Sequence, residues 1–248
     1  MTGNEAIERL AEWGESMTDL SDVLERYVSD GSVPGAVAIV AQRDQIEVAV
    51  VGSAAIGGDP MARDSIFRFA SITKPIIAAA VMILIEDGRI SLHDTVDSWL
   101  PELAEPSVVR TQASPLDDLV SATRPINVFD LLTSRAGYGF PSDFTLPAVQ
   151  RLLGVQKDGR EPQNFLPQDE WMAALSEIPM LYQPGDAWLY DTCSVLQGVL
   201  ISRVSGQSLP AFLAERVFQP LGMVDTGFTV PADKLERLTS YYRTAASG

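Results

Sequence analysis

Residues 67–86 read FRFASITKPIIAAAVMILIE. Apolar residues fill nearly every position from Ile72 to Ile85, and the run closes at Asp87-Gly88. A segment that is apolar on every side predicts a central, buried helix. Pro75 falls in its first turn or just beyond, where at most one backbone bond is lost. Ser71 then sits at or near the helix start, with Lys74 one turn on and on the same face. The free N–H groups and positive dipole of a helix N-terminus favour an anion forming at Ser71. A partly desolvated Lys74 would be shifted toward the range of a useful base. The S-x-x-K spacing alone leaves a blander account open, in which Ser71 caps the helix and Lys74 is a solvated first-turn charge.

The composition narrows the function classes. The chain has 248 residues, 46% hydrophobic and 21% charged, which is globular and long enough for a sizeable core. Acidic residues number 33 against 18 basic, for a net charge of −15. With no dense Lys/Arg cluster, a nucleic-acid partner is not expected. One cysteine, Cys193, excludes an internal disulfide, and with one histidine, His93, it leaves no zinc ligand set, so neither metal nor cofactor is expected. His93 lies among polar neighbours in SLHDTVDSWL and reads as a surface turn. The N-terminus has neither the basic nor the apolar region of a secretory leader, and no run is long enough to span a membrane. A cytoplasmic protein is the expectation.

Around the central segment the chain reads mainly helical. Leu20 to Val28 has helical spacing and stops at Gly31. GAVAIVAQRDQIEVAVVG, residues 35–52, reads as a hairpin of two β-branched runs. Residues 101–126 read as a connector. Asn127 can cap a short helix that Gly137 closes. Further helices are predicted near Leu146–Leu153, over Gln168–Ile178, from Asp191 or Thr192 to Val204 with Gly206 closing, and from Ser208 to Phe218.

A second stretch, residues 184–228, reads PGDAWLYDTCSVLQGVLISRVSGQSLPAFLAERVFQPLGMVDTGF. Together with FRFASITKP it resembles the serine hydrolase family of class C β-lactamases, D,D-peptidases and family VIII carboxylesterases, the penicillin-recognising S-x-x-K fold. That family's usual forms are PG-x-x-W/F-x-Y-S-N, then a helix ending VSG, then PLGM-x-DT-x-F. Pro184, Gly185, Trp188 and Tyr190 match in order, as do Val204-Ser205-Gly206, Pro220-Leu221-Gly222-Met223, Asp225-Thr226 and Phe228. LLTSRAG, residues 131–137, looks like the family's LLTHTSG, and VPGAVAIV resembles its first strand. The resemblance implies that Ser71 is an acylated nucleophile, Lys74 its proton acceptor, and Tyr190 a partner in the base role. A lysine cation beside a phenol favours the phenolate, so the two can pass a proton from serine to the leaving group.

Two departures from the family pattern matter. Its amide-orienting asparagine falls at Thr192, the candidate substrate-binding position, and a hydroxyl is a shorter, less specific partner than an amide. This favours esters over β-lactams or peptides. Its third motif, K-T-G or H-x-G, is absent, and only about 20 residues follow the PLGM phrase. A C-terminal fragment or second chain completing the sheet is therefore expected as a partner.

The expected fold is α/β plus all-α and β-lactamase/D,D-peptidase-like, an antiparallel sheet flanked by helices with a helical domain. Residues 1–60 and 207–248 are assigned to an incomplete α/β sandwich region, and 61–206 to a mainly helical region carrying Ser71, Lys74 and Tyr190. The expected function is hydrolysis through a covalent Ser71 acyl-enzyme, as a carboxylesterase on small or short-acyl esters. A β-lactamase or D-amino-acid peptidase is the alternative, and a non-catalytic relative that only binds is a second one.

Overall fold

The structure is a computed structural model that describes residues 20–157 and 164–242. They fall into two units, one holding the described residues of 1–68 and 229–248, the other those of 69–228.

The first unit is built on the hairpin. Strand β1 (Gly35–Gln42) pairs antiparallel with β2 (Gln45–Gly52), with Gly35 opposite Gly52 and Gln42 opposite Gln45. The turn is the two-residue Arg43-Asp44, and Arg43 takes φ 55, as a hairpin turn of this length requires. Helix α1 (Leu20–Ser29) lies against β2. The hairpin leaves Ile39 and Ile46 exposed, at 64% and 68%. Residues 54–68 are tied to 237–242 by a short ladder. In it the Ile66 N–H donates to the Arg237 carbonyl (2.7 Å) and the Thr239 N–H to the Ile66 carbonyl (2.9 Å).

The second unit has the larger core. Helix α2 (Thr73–Glu86) packs on α6 (Thr192–Ser205), with α3 (Val128–Leu132) and α7 (Leu209–Leu213) against α6. Ile77, Ala80, Val81 and Leu84 of α2 meet Leu196, Leu200 and Ile201 of α6 in one buried cluster. Helix α2 is not buried all round as its sequence suggests, since Met82 stays exposed. Asn127 caps α3 in a reciprocal capping box with Asp130, and Gly206 ends α6 in the left-handed conformation. Helices α4 (Pro147–Val155) and α5 (Gln168–Ser176) complete the unit.

The structure also departs from the sequence reading in three places. The connector over 101–126 contains two three-residue strands, β3 (Ser107–Val109) and β4 (Leu119–Ser121), paired antiparallel. Residues 207–228 pack with the helical unit rather than with the hairpin, because Phe212, Leu213 and Phe218 are buried in its core. Residues 61–68 belong with the hairpin unit. The outer parts of the assigned ranges, 1–19 and 243–248, lie outside the described residues. Among the described residues no helix is long and apolar enough to cross a membrane.

Candidate active site

Two segments zip together to place Tyr190. The Leu189 N–H donates to the Ser134 carbonyl (2.9 Å), and the N–H and carbonyl of Tyr190 pair with those of Phe140 (3.1 and 3.0 Å). Gly139, at φ 142, lies so close that an added Cβ would meet the Tyr190 carbonyl and Leu189 Cβ at 2.7 Å each. Ser134 of the LLTSRAG stretch and Gly139-Phe140 just after it thus supply the backbone against which the tyrosine is held.

On the other side, α2 begins at Thr73 with Ile72 as its N-cap and no side-chain cap bond. Pro75 falls at the third position, where its missing N–H costs no helix bond. The Ser71 hydroxyl is exposed and is not used as a cap. It lies 2.7 Å from Tyr190 Oη and accepts from Lys74 Nζ at 3.0 Å. Lys74 also donates to Tyr190 Oη at 3.4 Å and sits 4.7 Å from the centre of the Tyr190 ring. The structure therefore brings Ser71, Lys74 and Tyr190 into one hydrogen-bonded triangle within the helical unit.

A fourth group faces the triangle. Asp191 Oδ1 lies 2.6 Å from Lys74 Nζ. Burial pulls the Lys74 ammonium down, as its sequence position predicts, but the bond to and charge of Asp191, with Tyr190, outweigh it and hold Lys74 above its ordinary range. That arrangement favours the ammonium form of Lys74. The sequence offered Asp191 only as a helix cap. In the structure it occupies the N-cap of α6 and makes no cap bond.

Thr192 is not brought to the triangle. It is 0% exposed, and its hydroxyl donates to Gln156 Oε1 at 2.7 Å. The substrate contact expected there is replaced by a buried bond. Cys193, next along, is buried, and burial pushes its thiol up to about 11, so it is an inert core residue. His93 is exposed in a turn at residues 91–94. Trp188 is 60% exposed with its ring 6.1 Å from that of Tyr190, which gives the triangle an aromatic flank.

The sequence profile of the β-lactamase family matches residues 20–248, and the chain belongs to that family. Protein Rv1367c of Mycobacterium tuberculosis is 40% identical over 223 residues, covering 88% of this chain and 53% of that protein. Esterase EstB of Burkholderia gladioli is 33% identical over 212 residues, covering 84% of this chain and 50% of that one. The solved structure of EstCE1, described as a hydrolase with promiscuous acyltransferase activity, matches with a TM-score of 0.74 at 29% identity, over 91% of this chain and 56% of the other. The fold is β-lactamase/D,D-peptidase-like, and the family is one of serine hydrolases with esterase and acyltransferase relatives. The chain spans about half the length of the curated relatives it matches.

Proposed function

We propose that the protein is a serine esterase acting through a covalent acyl-enzyme on Ser71. The observation that carries this is the Ser71 hydroxyl held 2.7 Å from Tyr190 Oη and 3.0 Å from Lys74 Nζ at the start of a helix. Ser71 Oγ attacks the ester carbonyl carbon while its proton passes to Tyr190 Oη, which takes part as the phenolate with the Lys74 ammonium as its counter-charge. The Lys74 ammonium offsets the negative charge that grows between the two oxygens. The tetrahedral intermediate collapses, the carbon–oxygen bond to the alcohol breaks, and Tyr190 delivers a proton to the departing oxygen. A water or a second alcohol then attacks the acyl carbon, losing its proton to Tyr190, and as the bond to Ser71 Oγ breaks Tyr190 returns that proton to Oγ.

With Asp191 favouring its ammonium form, Lys74 is placed to donate to Ser71 and Tyr190 rather than to take a proton. Tyr190 is left with that role. An ester is favoured over an amide because an alkoxide leaves with less help than an amine, and because Thr192 presents no side chain to a substrate amide. EstB and EstCE1 support the same choice. Ser71→Ala should lower p-nitrophenyl butyrate turnover on the order of 10⁴-fold or more with the fold intact. Retained turnover would refute the assignment.

The reading includes a structural partner. A two-stranded hairpin is marginal alone, and Ile39 and Ile46 are uncovered on this one. We infer that further strands, from a segment on the order of 100 residues, complete its sheet. Intact mass of the active species should exceed 26.9 kDa or show a second chain. A single active species of that mass would contradict this.

A further inference from the structure

Asp191 has a backbone that an aspartate does not choose freely. It sits at φ 82, ψ −62, and the Thr192 N–H closes back on the Tyr190 carbonyl at 3.2 Å. This is a γ-turn of the rare positive-φ kind. Glycine is the residue such a backbone favours. An aspartate kept there needs a reason in its side chain, and both of its oxygens are engaged. Oδ1 meets Lys74 Nζ at 2.6 Å, and Oδ2 accepts from Gln156 Nε2 at 2.7 Å. A carboxylate only accepts, so the Gln156 amide must turn its nitrogen to Asp191 and its oxygen away. That oxygen accepts the buried Thr192 hydroxyl at 2.7 Å. The bonds run Thr192 to Gln156 to Asp191 to Lys74, and from Lys74 to Ser71 and Tyr190.

We infer that Asp191 is a positioning residue for the reaction: it holds Lys74 as an ammonium aimed at Ser71 and Tyr190, and Gln156 and Thr192 fix its carboxylate for that task. The inference rests on the Ser71 reading above. It also gives Thr192 a role, as the far anchor of the carboxylate rather than a substrate contact. The ionisable groups facing Lys74 are Asp191 and Tyr190, both at the entry to α6, while its own helix start supplies only the Ser71 hydroxyl. Removing the carboxylate leaves burial to act on Lys74 with one opposing group fewer, so Lys74 should lose its proton at lower pH.

The test is the rate of Ser71 labelling by a fluorophosphonate across pH 6 to 11 on the protein in its complete, active form, with the adduct located by peptide mass. Wild type, Asp191→Asn, Asp191→Gly and Gln156→Leu are compared. Asp191→Gly suits the backbone, so its melting temperature should be held or raised. The alkaline fall in labelling should move to lower pH in both Asp191 variants, by about 1–3 pH units, and by less in Gln156→Leu. An alkaline limb unmoved in all three, with Ser71 still labelled, overturns the inference and leaves the nucleophile standing. A melting temperature that drops in Asp191→Gly with no movement of the limb makes Asp191 a structural residue only. Labelling that rises as Lys74 loses its proton makes Lys74 the base and overturns the inference. No adduct on wild-type Ser71 removes the reading beneath it.

Discussion

Lys74 and Asp191 face each other at 2.6 Å, with side chains 25% and 30% exposed. This contact changes what the lysine can do. Desolvation alone would have made it a candidate base. A carboxylate in hydrogen-bond contact favours its ammonium form instead. In the reaction proposed above the serine proton then goes to Tyr190 Oη, 2.7 Å away.

Lys74 and Tyr190 should fail together. Lys74→Ala and Tyr190→Phe are each expected to lower kcat by about 10²-fold or more. Groups that act as a unit give non-additive losses, so the double variant should be little worse than either single one. Losses that multiply would show two independent contributions.

Ester turnover should exceed β-lactam turnover. Thr192 is buried with its hydroxyl committed to Gln156, so this position offers nothing to orient a substrate amide. Comparing kcat/KM for p-nitrophenyl butyrate and nitrocefin on the same preparation decides the matter. A larger value for nitrocefin would move the protein to the β-lactamase reading.

Gly139→Ala should damage the site from behind. The new methyl group would meet the Tyr190 carbonyl at 2.7 Å in a backbone of φ 142 that alanine resists. The expected cost is about 1–3 kcal/mol in urea unfolding, with a fall in kcat as Tyr190 shifts. A variant with unchanged stability and kcat would mean that the pairing of Phe140 with Tyr190 does not set the tyrosine's position.

Arg203 on α6 should stabilise the fold more at neutral than at acidic pH. Its guanidinium donates to both oxygens of Glu102, at 2.7 and 2.8 Å, and to the Trp99 carbonyl at 3.0 Å. Bonding to Arg203 holds the Glu102 carboxyl below its usual range, against the opposing pull of burial. A carboxyl lowered in the folded state contributes stability above its unfolded value, near ~4.3, and that contribution is lost as pH falls through the folded value. Arg203→Leu should therefore cost about 1–3 kcal/mol at pH 7, and the gap to wild type should narrow on acidification. A gap that stays constant below pH 4 would assign the loss to packing and the Trp99 bond instead.

What could be read from the sequence follows from what is local. The hairpin at 35–52 announces itself through β-branched runs around a polar turn, α3 through Asn127, and the end of α6 through Gly206. Ser71 and Lys74 are one helical turn apart, so their meeting needs only the helix. Tyr190 came from its flanking residues and not from any periodicity. The rest depends on distant partners. β3 and β4 are three residues each, and β3 is further fixed by bonds between Val109, Ser107 and Met180. Asp191 and Thr192 both look like helix caps in sequence. Only the γ-turn, which no glycine marks, turns the first toward Lys74, and only Gln156, 35 residues before Asp191, claims the second. The break of the 207–248 range after Phe228 is hidden for a similar reason, since Phe212 and Phe218 choose their unit by contacts made across the chain.

The central claim is a covalent bond at one oxygen atom. The protein would be quenched in acid within seconds of mixing with p-nitrophenyl butyrate, digested, and its peptides weighed. The account predicts a butyryl group on the peptide holding Ser71, formed in wild type, slowed in Tyr190→Phe, and absent in Ser71→Ala. A butyryl adduct on another residue, or steady turnover that survives in Ser71→Ala, would contradict it.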